Sequence, residues 1–172
     1  MIREGTYIAT YKEHHFWELQ RRESLNSNLT FLVGIVTLLT GATFAMAKDI
    51  SWPCGFFNSI FLLGLSIAAL LLLSSMYLIA RAYMGYKYAH SPDALEILNY
   101  KKSLRKRNKE AGMTADEADK EFFDYLDERY AEDASWNKKR NETKVKWIYY
   151  ANRAVASALI SIAVSGIAYI FR

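Results

Sequence analysis

Two groups of basic residues in the second half of the sequence have the composition of a phosphate-binding surface. Six positive charges fall within the nine residues from Lys101 to Lys109, and a second basic run begins at Lys138. Aromatic residues lie beside both runs, and aromatic faces can stack on nucleic-acid bases. The residues expected to contact an anionic ligand are Lys101, Lys102, Arg105, Arg107, Lys138 and Arg140, with Tyr100 and Trp136 as stacking partners.

The same charges have a structural explanation, which the sequence leaves open. The block from Glu110 to Asp133 carries ten acidic residues against two basic ones. A helix over 93–109 could fold back against the next helix in an antiparallel pair held partly by opposite charges, or its basic residues could meet anionic lipid. The acidic block could attract cations, but we favour the solvated face of an amphipathic helix.

Patterns for catalysis and metal binding are missing from the sequence. It contains no Gly-x-Ser-x-Gly, no His-Glu-x-x-His, no Gly-rich phosphate loop and no Cys/His cluster. His14 and His15 are adjacent, so on a helix they face different sides and cannot chelate a metal as an i, i+4 pair would. We therefore expect a protein that is not an enzyme, with no catalytic residue, no metal site and no cofactor.

Three long stretches without charge indicate that these groups lie beside a membrane. Ser24 to Ala47, Ile50 to Ala80 and Ala154 to Phe171 contain no Asp, Glu, Lys or Arg. A helix needs about 20 apolar residues to cross a hydrocarbon core of ~30 Å, because its backbone groups can bond only within the helix there. The sequence predicts an all-α, multi-pass membrane protein in contact with membrane lipids.

The order of the segments predicts four regions. An amphipathic interfacial helix occupies 1–28, a two-helix transmembrane hairpin 29–81, a cytosolic helical region 82–148 and a third transmembrane helix 149–172. Lys and Arg are concentrated before the first stretch, after the second and before the third. Because cytoplasmic flanks carry the positive excess, the N-terminus is predicted to be cytoplasmic.

Turn and capping residues predict where the helices begin and end. Trp52 and Pro53 should form the hairpin turn, and the second span could continue through Tyr86 and Tyr88. Ser91, followed by Pro92, is expected to cap the helix over 93–109.

A capping box is predicted at the start of the last helix. Thr114 and Glu117 have the required spacing, and no Pro follows them. One helix is therefore expected to run from there to Phe171, from the cytosol through the bilayer.

Small and hydroxyl residues recur at helical spacing inside the first and third spans. They include the candidate pore-lining residues Thr30, Thr37, Ser157, Ser161 and Ser165. The alternative, which we favour, is close helix packing, and the two coincide where packed helices surround a hole. No ionisable residue lies at mid-membrane depth, which argues against a proton-coupled pump but leaves a hydrophobically gated pore.

Short motifs extend from the second apolar stretch to the third. They are Tyr86-Lys87-Tyr88, Ser91-Pro92-Asp93-Ala94-Leu95-Glu96-Ile97, Tyr100, Tyr130-Ala131-Glu132-Asp133, Asn137, Asn141-Glu142 and Tyr149-Tyr150-Ala151-Asn152-Arg153. Together they resemble small bacterial membrane effectors of the SLATT type, which have two spans. The third apolar segment at the C-terminus departs from that plan and leaves the identity of the pore-lining helix open.

The resemblance implies a pore-forming effector of a nucleotide-signalling anti-phage defence system. Such a protein would be a homo-oligomer, for example a tetramer, in the bacterial inner membrane. A nucleotide or oligonucleotide signal made by a partner nucleotidyltransferase would bind its cytosolic helices and control a channel or pore, causing depolarisation and growth arrest. The alternative from another class is a non-conducting membrane anchor or regulatory subunit that docks a soluble partner.

Overall fold

The computed structural model describes residues 5–48 and 55–171, with side chains from Ala9 onward. These residues are 89% helical and contain no strand. They form four helices, namely α1 (Gly5–Ala47), α2 (Phe56–Tyr83), α3 (Ala94–Glu110) and α4 (Ala115–Ile170). Helices α1, α2 and α4 are each long and apolar enough to cross a membrane. The expectation of an all-α chain with three such helices is confirmed.

The sequence predicts two separate helices here, one over 1–28 and a second that begins at Leu29, but the structure has the single helix α1. It continues unbroken from Gly5 to Ala47. Asn and Ser residues near position 26 favour helix ends because their side chains can replace backbone partners. Here the Asn26 amide oxygen instead accepts a hydrogen bond from Lys144, and the Asn26 carbonyl accepts one from the Thr30 hydroxyl at 3.1 Å. The predicted turn at Trp52 and Pro53 lies outside the described residues.

Helix α2 ends at Tyr83, before the aromatic residues through which a longer helix was considered. The Met84 N–H still bonds to the Ala80 carbonyl at 3.0 Å. Gly85 then adopts a φ of 89°, which a residue with a Cβ rarely tolerates and which often follows the last turn of a helix.

The predicted cap of α3 at Ser91 is wrong. The capping residue is Asp93, whose backbone N–H donates to the Glu96 carboxylate at 3.4 Å in a capping box. Glu96 stands three residues after Asp93 and provides the acceptor for the Asp93 N–H that a capping box requires. Ala94 stands three residues after Ser91 and has no side-chain acceptor.

The predicted capping box of α4 is confirmed. The Thr114 N–H donates to Glu117 at 2.8 Å, and the Glu117 N–H donates back to the Thr114 hydroxyl at 3.3 Å. From Ala115 the helix runs for 56 residues, which at 1.5 Å per residue is about 84 Å. The predicted continuity of this helix is therefore also confirmed.

The described residues divide into two compact units. The first contains the described part of Met1–Glu23 with Lys87–Asn141, and the second contains the described parts of Ser24–Tyr86 and Glu142–Arg172. Helices α1 and α4 contribute residues to both units. The predicted interfacial segment thus belongs mainly to the same unit as the predicted cytosolic helices.

The second unit buries one face from each of its three helices. Its main core is formed by Leu29, Leu32, Val36, Leu72, Ile79, Ala82, Ile148, Ala151, Val155 and Ala158. A smaller cluster of Phe61, Leu65 and Ala168 joins α2 to α4. There Gly64 faces Ser165, and an added Cβ on the glycine would lie 2.3 Å from the serine Oγ. Helices α2 and α4 approach so closely because one of them has no side chain at this point.

In the first unit, buried amides of α4 hold the segment that precedes α3. Asn137 accepts a hydrogen bond from the Ala89 N–H at 2.9 Å and donates one to the Ala89 carbonyl at 3.0 Å. Asn141 accepts from the Tyr88 hydroxyl at 2.8 Å and donates to Glu18 of α1. Both asparagines are fully buried. These contacts fix both the linker and the N-terminal part of α1 against α4.

The contact between Gly64 and Ser165 can be tested by a pair of substitutions. Gly64→Ala should lower the melting temperature in detergent, since overpacking costs about 1–3 kcal/mol. Adding Ser165→Ala should restore much of that loss, because it removes the Oγ that the new methyl group meets. The matched control is Gly166→Ala on α4, where an added Cβ would make only an ordinary contact with Met46, at 3.8 Å. Equal melting temperatures for the two glycine variants would contradict the described contact.

Candidate functional site

The basic residues of α3 face acidic residues at the beginning of α4. Arg105 donates two hydrogen bonds to Asp119, from Nε at 3.0 Å and from Nη2 at 2.6 Å. Lys101 Nζ lies 3.6 Å from the same carboxylate. The hydrogen bond from Arg105 holds the pKa of Asp119 below its ordinary value. Two of the predicted phosphate-binding cations therefore share a carboxylate of the protein itself.

Arg107, two residues further along α3, is also paired with a carboxylate of α4. Its guanidinium bonds to Glu121, whose second oxygen accepts a hydrogen bond from Asn108 at 3.0 Å. The bonds from Asn108 and Arg107 lower the pKa of Glu121. Together with the Asp119 contacts, this ion pair joins α3 to α4 in the antiparallel pair that was one of the two interpretations of the charge blocks. Lys102 is exposed on the same helix.

Tyr100 packs inside the pair of helices. Its ring centre lies 4.4 Å from that of Tyr125 and 6.4 Å from that of Phe122. Lys101 lies over the Phe122 ring at 5.2 Å. These contacts give Tyr100 a packing role between α3 and α4.

The remaining predicted ligand contacts lie further along α4. Trp136 donates its indole N–H to the Lys87 carbonyl at 2.9 Å, and Arg140 covers its ring at 4.2 Å. Asp119 and Lys138 are nineteen residues apart on one helix, which corresponds to roughly 28 Å. The eight predicted residues therefore form two separate groups, and one small ligand cannot touch both.

The candidate pore residues also have different surroundings. Thr30 and Thr37 are exposed, and their hydroxyls bond to backbone carbonyls one turn earlier, at 3.1 and 2.9 Å. Ser157 is exposed and Ser161 half-buried, but Ser165 is buried against Gly64. Close packing explains Ser165, whereas both threonines and Ser157 face the outside of the protomer.

The core of the first unit contains a buried histidine to which no function was assigned from the sequence. His15 is fully buried, its ring centre lies 5.8 Å from that of Tyr130, and neither ring nitrogen has a hydrogen-bond partner among the described residues. Burial lowers its pKa; Asp133 opposes that shift, and His90 adds to it. A neutral imidazole is therefore favoured in the folded state.

Two residues of α1, Trp17 and Arg21, border a groove beside α4. Trp17 and Arg21 lie one helical turn apart, with the Arg21 guanidinium 5.4 Å from the centre of the Trp17 ring. The same groove is lined by Lys138, one of the predicted ligand contacts. The one-turn spacing was visible in the sequence, but the neighbouring position on α4 was not.

No protein-family model matches the chain, and the curated proteins and solved structures compared with it include none that is similar. The resemblance to SLATT-type effectors consequently rests on the short motifs. In the structure, three of these motif residues, Tyr88, Asn137 and Asn141, form the buried contacts that hold the linker before α3.

Acid should destabilise the first unit through His15. The unfolded histidine takes up a proton near its ordinary pKa of 6.5, while the folded one resists protonation, so stability falls as the pH drops through and below that value. We expect His15→Leu to reduce the loss of melting temperature between about pH 7.5 and about pH 5.5. The carboxylates whose pKa values are lowered in the fold affect stability at a more acidic pH than this range.

The exposed neighbour provides the control for this experiment. His14→Gln should keep the pH dependence of the parent protein, because His14 is exposed. Thermal melting in detergent at both pH values measures the effect for the parent and the two variants. Identical acid sensitivity of the parent protein and His15→Leu would show that His15 titrates normally in the fold.

Proposed function

We propose that this chain is a membrane effector that assembles into a homo-oligomer and forms a ligand-gated ion channel or pore. The observation that carries the proposal is the exposed face of α1 formed by Thr30, Gly34, Thr37, Gly41 and Ala45. An added Cβ at Gly34 or Gly41 would meet no atom of the described residues within 4 Å, so this face is not covered by that part of the protomer.

The opposite face of α1 already packs within the protomer. Leu29, Leu32 and Val36 lie in the main core of the second unit. A helix face of Gly, Ala and Thr gains little from contact with lipid chains but allows another helix to approach closely. Copies of α1 meeting through this face would place the Thr30 and Thr37 hydroxyls at the assembly interface, where a central opening would be lined by them.

The absence of fixed charge supports a passive pathway over a pump. No Asp, Glu, Lys or Arg occurs between Ser24 and Ala47, Ile50 and Ala80, or Ala154 and Phe171. Pumps and ion-coupled carriers use ionisable groups at membrane depth, whereas apolar constrictions can gate a pore by dewetting. The proposed pore therefore opens and closes by helix movement.

The proposed signal is a nucleotide or oligonucleotide that binds outside the apolar stretches. The basic and aromatic residues of the first unit support an anionic ligand, and the resemblance to SLATT-type effectors supports a nucleotide made by a partner nucleotidyltransferase. The placement of Lys and Arg beside the apolar stretches supports a cytoplasmic N-terminus. The resemblance to SLATT-type effectors supports a bacterial inner membrane. Opening would depolarise the cell and arrest its growth during anti-phage defence.

A second candidate function is a non-conducting anchor that docks a soluble partner. The ion pairs of Arg105 with Asp119 and of Arg107 with Glu121 favour it, because they give the α3 cations a structural use. Under this alternative, the α3–α4 hairpin would be a rigid docking element and the apolar helices would only hold it at the membrane.

Ion flux from liposomes separates the two functions. The purified chain, reconstituted with an encapsulated fluorescent dye, should pass ions in a nucleotide-dependent way, and Thr37→Leu should reduce both flux and the oligomer seen after cross-linking. Ser74→Leu is the matched control, since Ser74 is also exposed and also bonds to the carbonyl one turn earlier, at 2.8 Å. It should behave like the parent protein.

Two results would contradict the channel. One is an oligomer that passes no ions under any nucleotide condition, which would favour the anchor. The other is an equal loss of flux in Thr37→Leu and Ser74→Leu, because the exposed face of α1 would then have no special part in conduction.

A further inference from the structure

A groove in the first unit has the chemistry of a nucleotide site. It has a volume of about 440 Å³ and lies between α1 and α4. Tyr11, Trp17 and Arg21 border it on α1, and Ala131, Ala134 and Lys138 border it on α4. Because the alanine side chains on α4 are short, they leave open space beside the large side chains of α1.

One end of the groove is cationic and fixed in position. Glu18 is 2% exposed, and one of its carboxylate oxygens accepts a hydrogen bond from Asn141 at 2.8 Å. Its other oxygen lies 3.6 Å from Arg21 Nη1, and the same guanidinium lies over the ring of Trp17. A buried carboxylate and an aromatic face thus hold Arg21 at the groove, together with the exposed Lys138. Paired cations of this kind suit a phosphate group.

The middle of the groove offers aromatic surface. Trp17 is 53% exposed and Tyr11 is 37% exposed, so both rings remain accessible. His14 meets Trp17 edge-on at 6.5 Å and Arg21 lies over one face of the ring, so a base would stack on the opposite face. Stacking of a base on such a ring contributes about 1–3 kcal/mol.

The far end accepts hydrogen bonds. Tyr11 and Ala131 also line an adjoining recess with Asp127 and Glu128. Asp127 Oδ1 is shielded from solvent and has no hydrogen-bond partner among the described residues. A ligand that carries N–H or O–H donors at the end away from its phosphate would suit the carboxylates that line this recess.

We infer that this groove binds a nucleotide, with its phosphate on Arg21 and Lys138, its base against Trp17 and its donor groups toward Asp127. This assignment rests on the proposed control by a nucleotide signal and moves the site from the α3 cations to the α1–α4 groove. A phospholipid headgroup shares the phosphate chemistry but lacks a base that could stack.

Titration calorimetry on the full chain in detergent tests the assignment with three probes. ATP should bind more tightly than adenosine or inorganic tripolyphosphate, because it alone uses both halves of the groove. Trp17→Leu should weaken ATP binding roughly five-fold or more and should weaken tripolyphosphate binding much less, because tripolyphosphate loses only the support that the ring gives to Arg21. Trp17→Phe should retain most of the ATP affinity. Lys138→Gln should weaken both ATP and tripolyphosphate binding.

Matched controls come from the same helices. Phe16→Leu removes a neighbouring exposed ring that does not line the groove, and Lys120→Gln removes an exposed lysine elsewhere on α4. Both should bind ATP like the parent protein. The circular dichroism melt of every variant should match that of the parent, which shows that lost binding does not reflect unfolding.

Four outcomes would overturn the inference. They are no ATP binding by the parent protein, no effect of Trp17→Leu, loss of binding in Lys102→Gln but not in Lys138→Gln, and phosphocholine binding as tight as that of ATP. The last would identify a lipid headgroup site.

The flux assay, applied to the same variants, keeps this inference separate from the proposed channel. If ATP binds the groove but no ions pass, the inference stands and the channel fails. If nucleotide-dependent flux persists in Trp17→Leu and Lys138→Gln, the channel stands and the inference fails.

Discussion

The first unit depends on two asparagine side chains of α4 that are buried away from solvent. Asn137 satisfies both backbone groups of Ala89, and Asn141 joins Tyr88 to Glu18. A buried amide without partners costs about 1–3 kcal/mol, so arrangements that separate these groups are strongly disfavoured. The linker before α3 and the N-terminal part of α1 are therefore held at set positions along α4, and through Glu18 so is Arg21.

Cations of the first unit have two different uses, which residue type does not distinguish. Arg105 and Arg107 are paired with carboxylates on the neighbouring helix, and these contacts stabilise the antiparallel hairpin. Arg21 and Lys138 instead border a groove that also presents exposed aromatic rings. Arg105 and Arg107 therefore serve mainly the fold. Arg21 is also paired, with Glu18, but it and Lys138 remain at the edge of an open groove.

Small residues in the apolar helices have a similar dual role. Gly64 and Ser165 allow α2 and α4 to approach within the protomer, so their size has a structural explanation. An added Cβ at Gly34 or Gly41 would meet no atom of the described residues within 4 Å, so packing against those residues does not require a glycine there. The same chemical pattern thus serves internal packing in one place and supports the proposed intermolecular contact in the other.

The sequence alone determined the all-α class, the three helices suited to a membrane and the unbroken α4, because charge-free length and the Thr114–Glu117 cap act locally. It misplaced the α3 cap at Ser91, since Ser and Asp are both good caps and only the Glu96 partner decides between them. It also assigned cations from two separate groups to one ligand. Only the tertiary structure showed that Asp119 is the partner of Arg105, because the charge blocks alone do not fix which side chains meet. It also aligned α1 with α4, since contacts between residues more than a hundred positions apart depend on packing that local patterns do not encode.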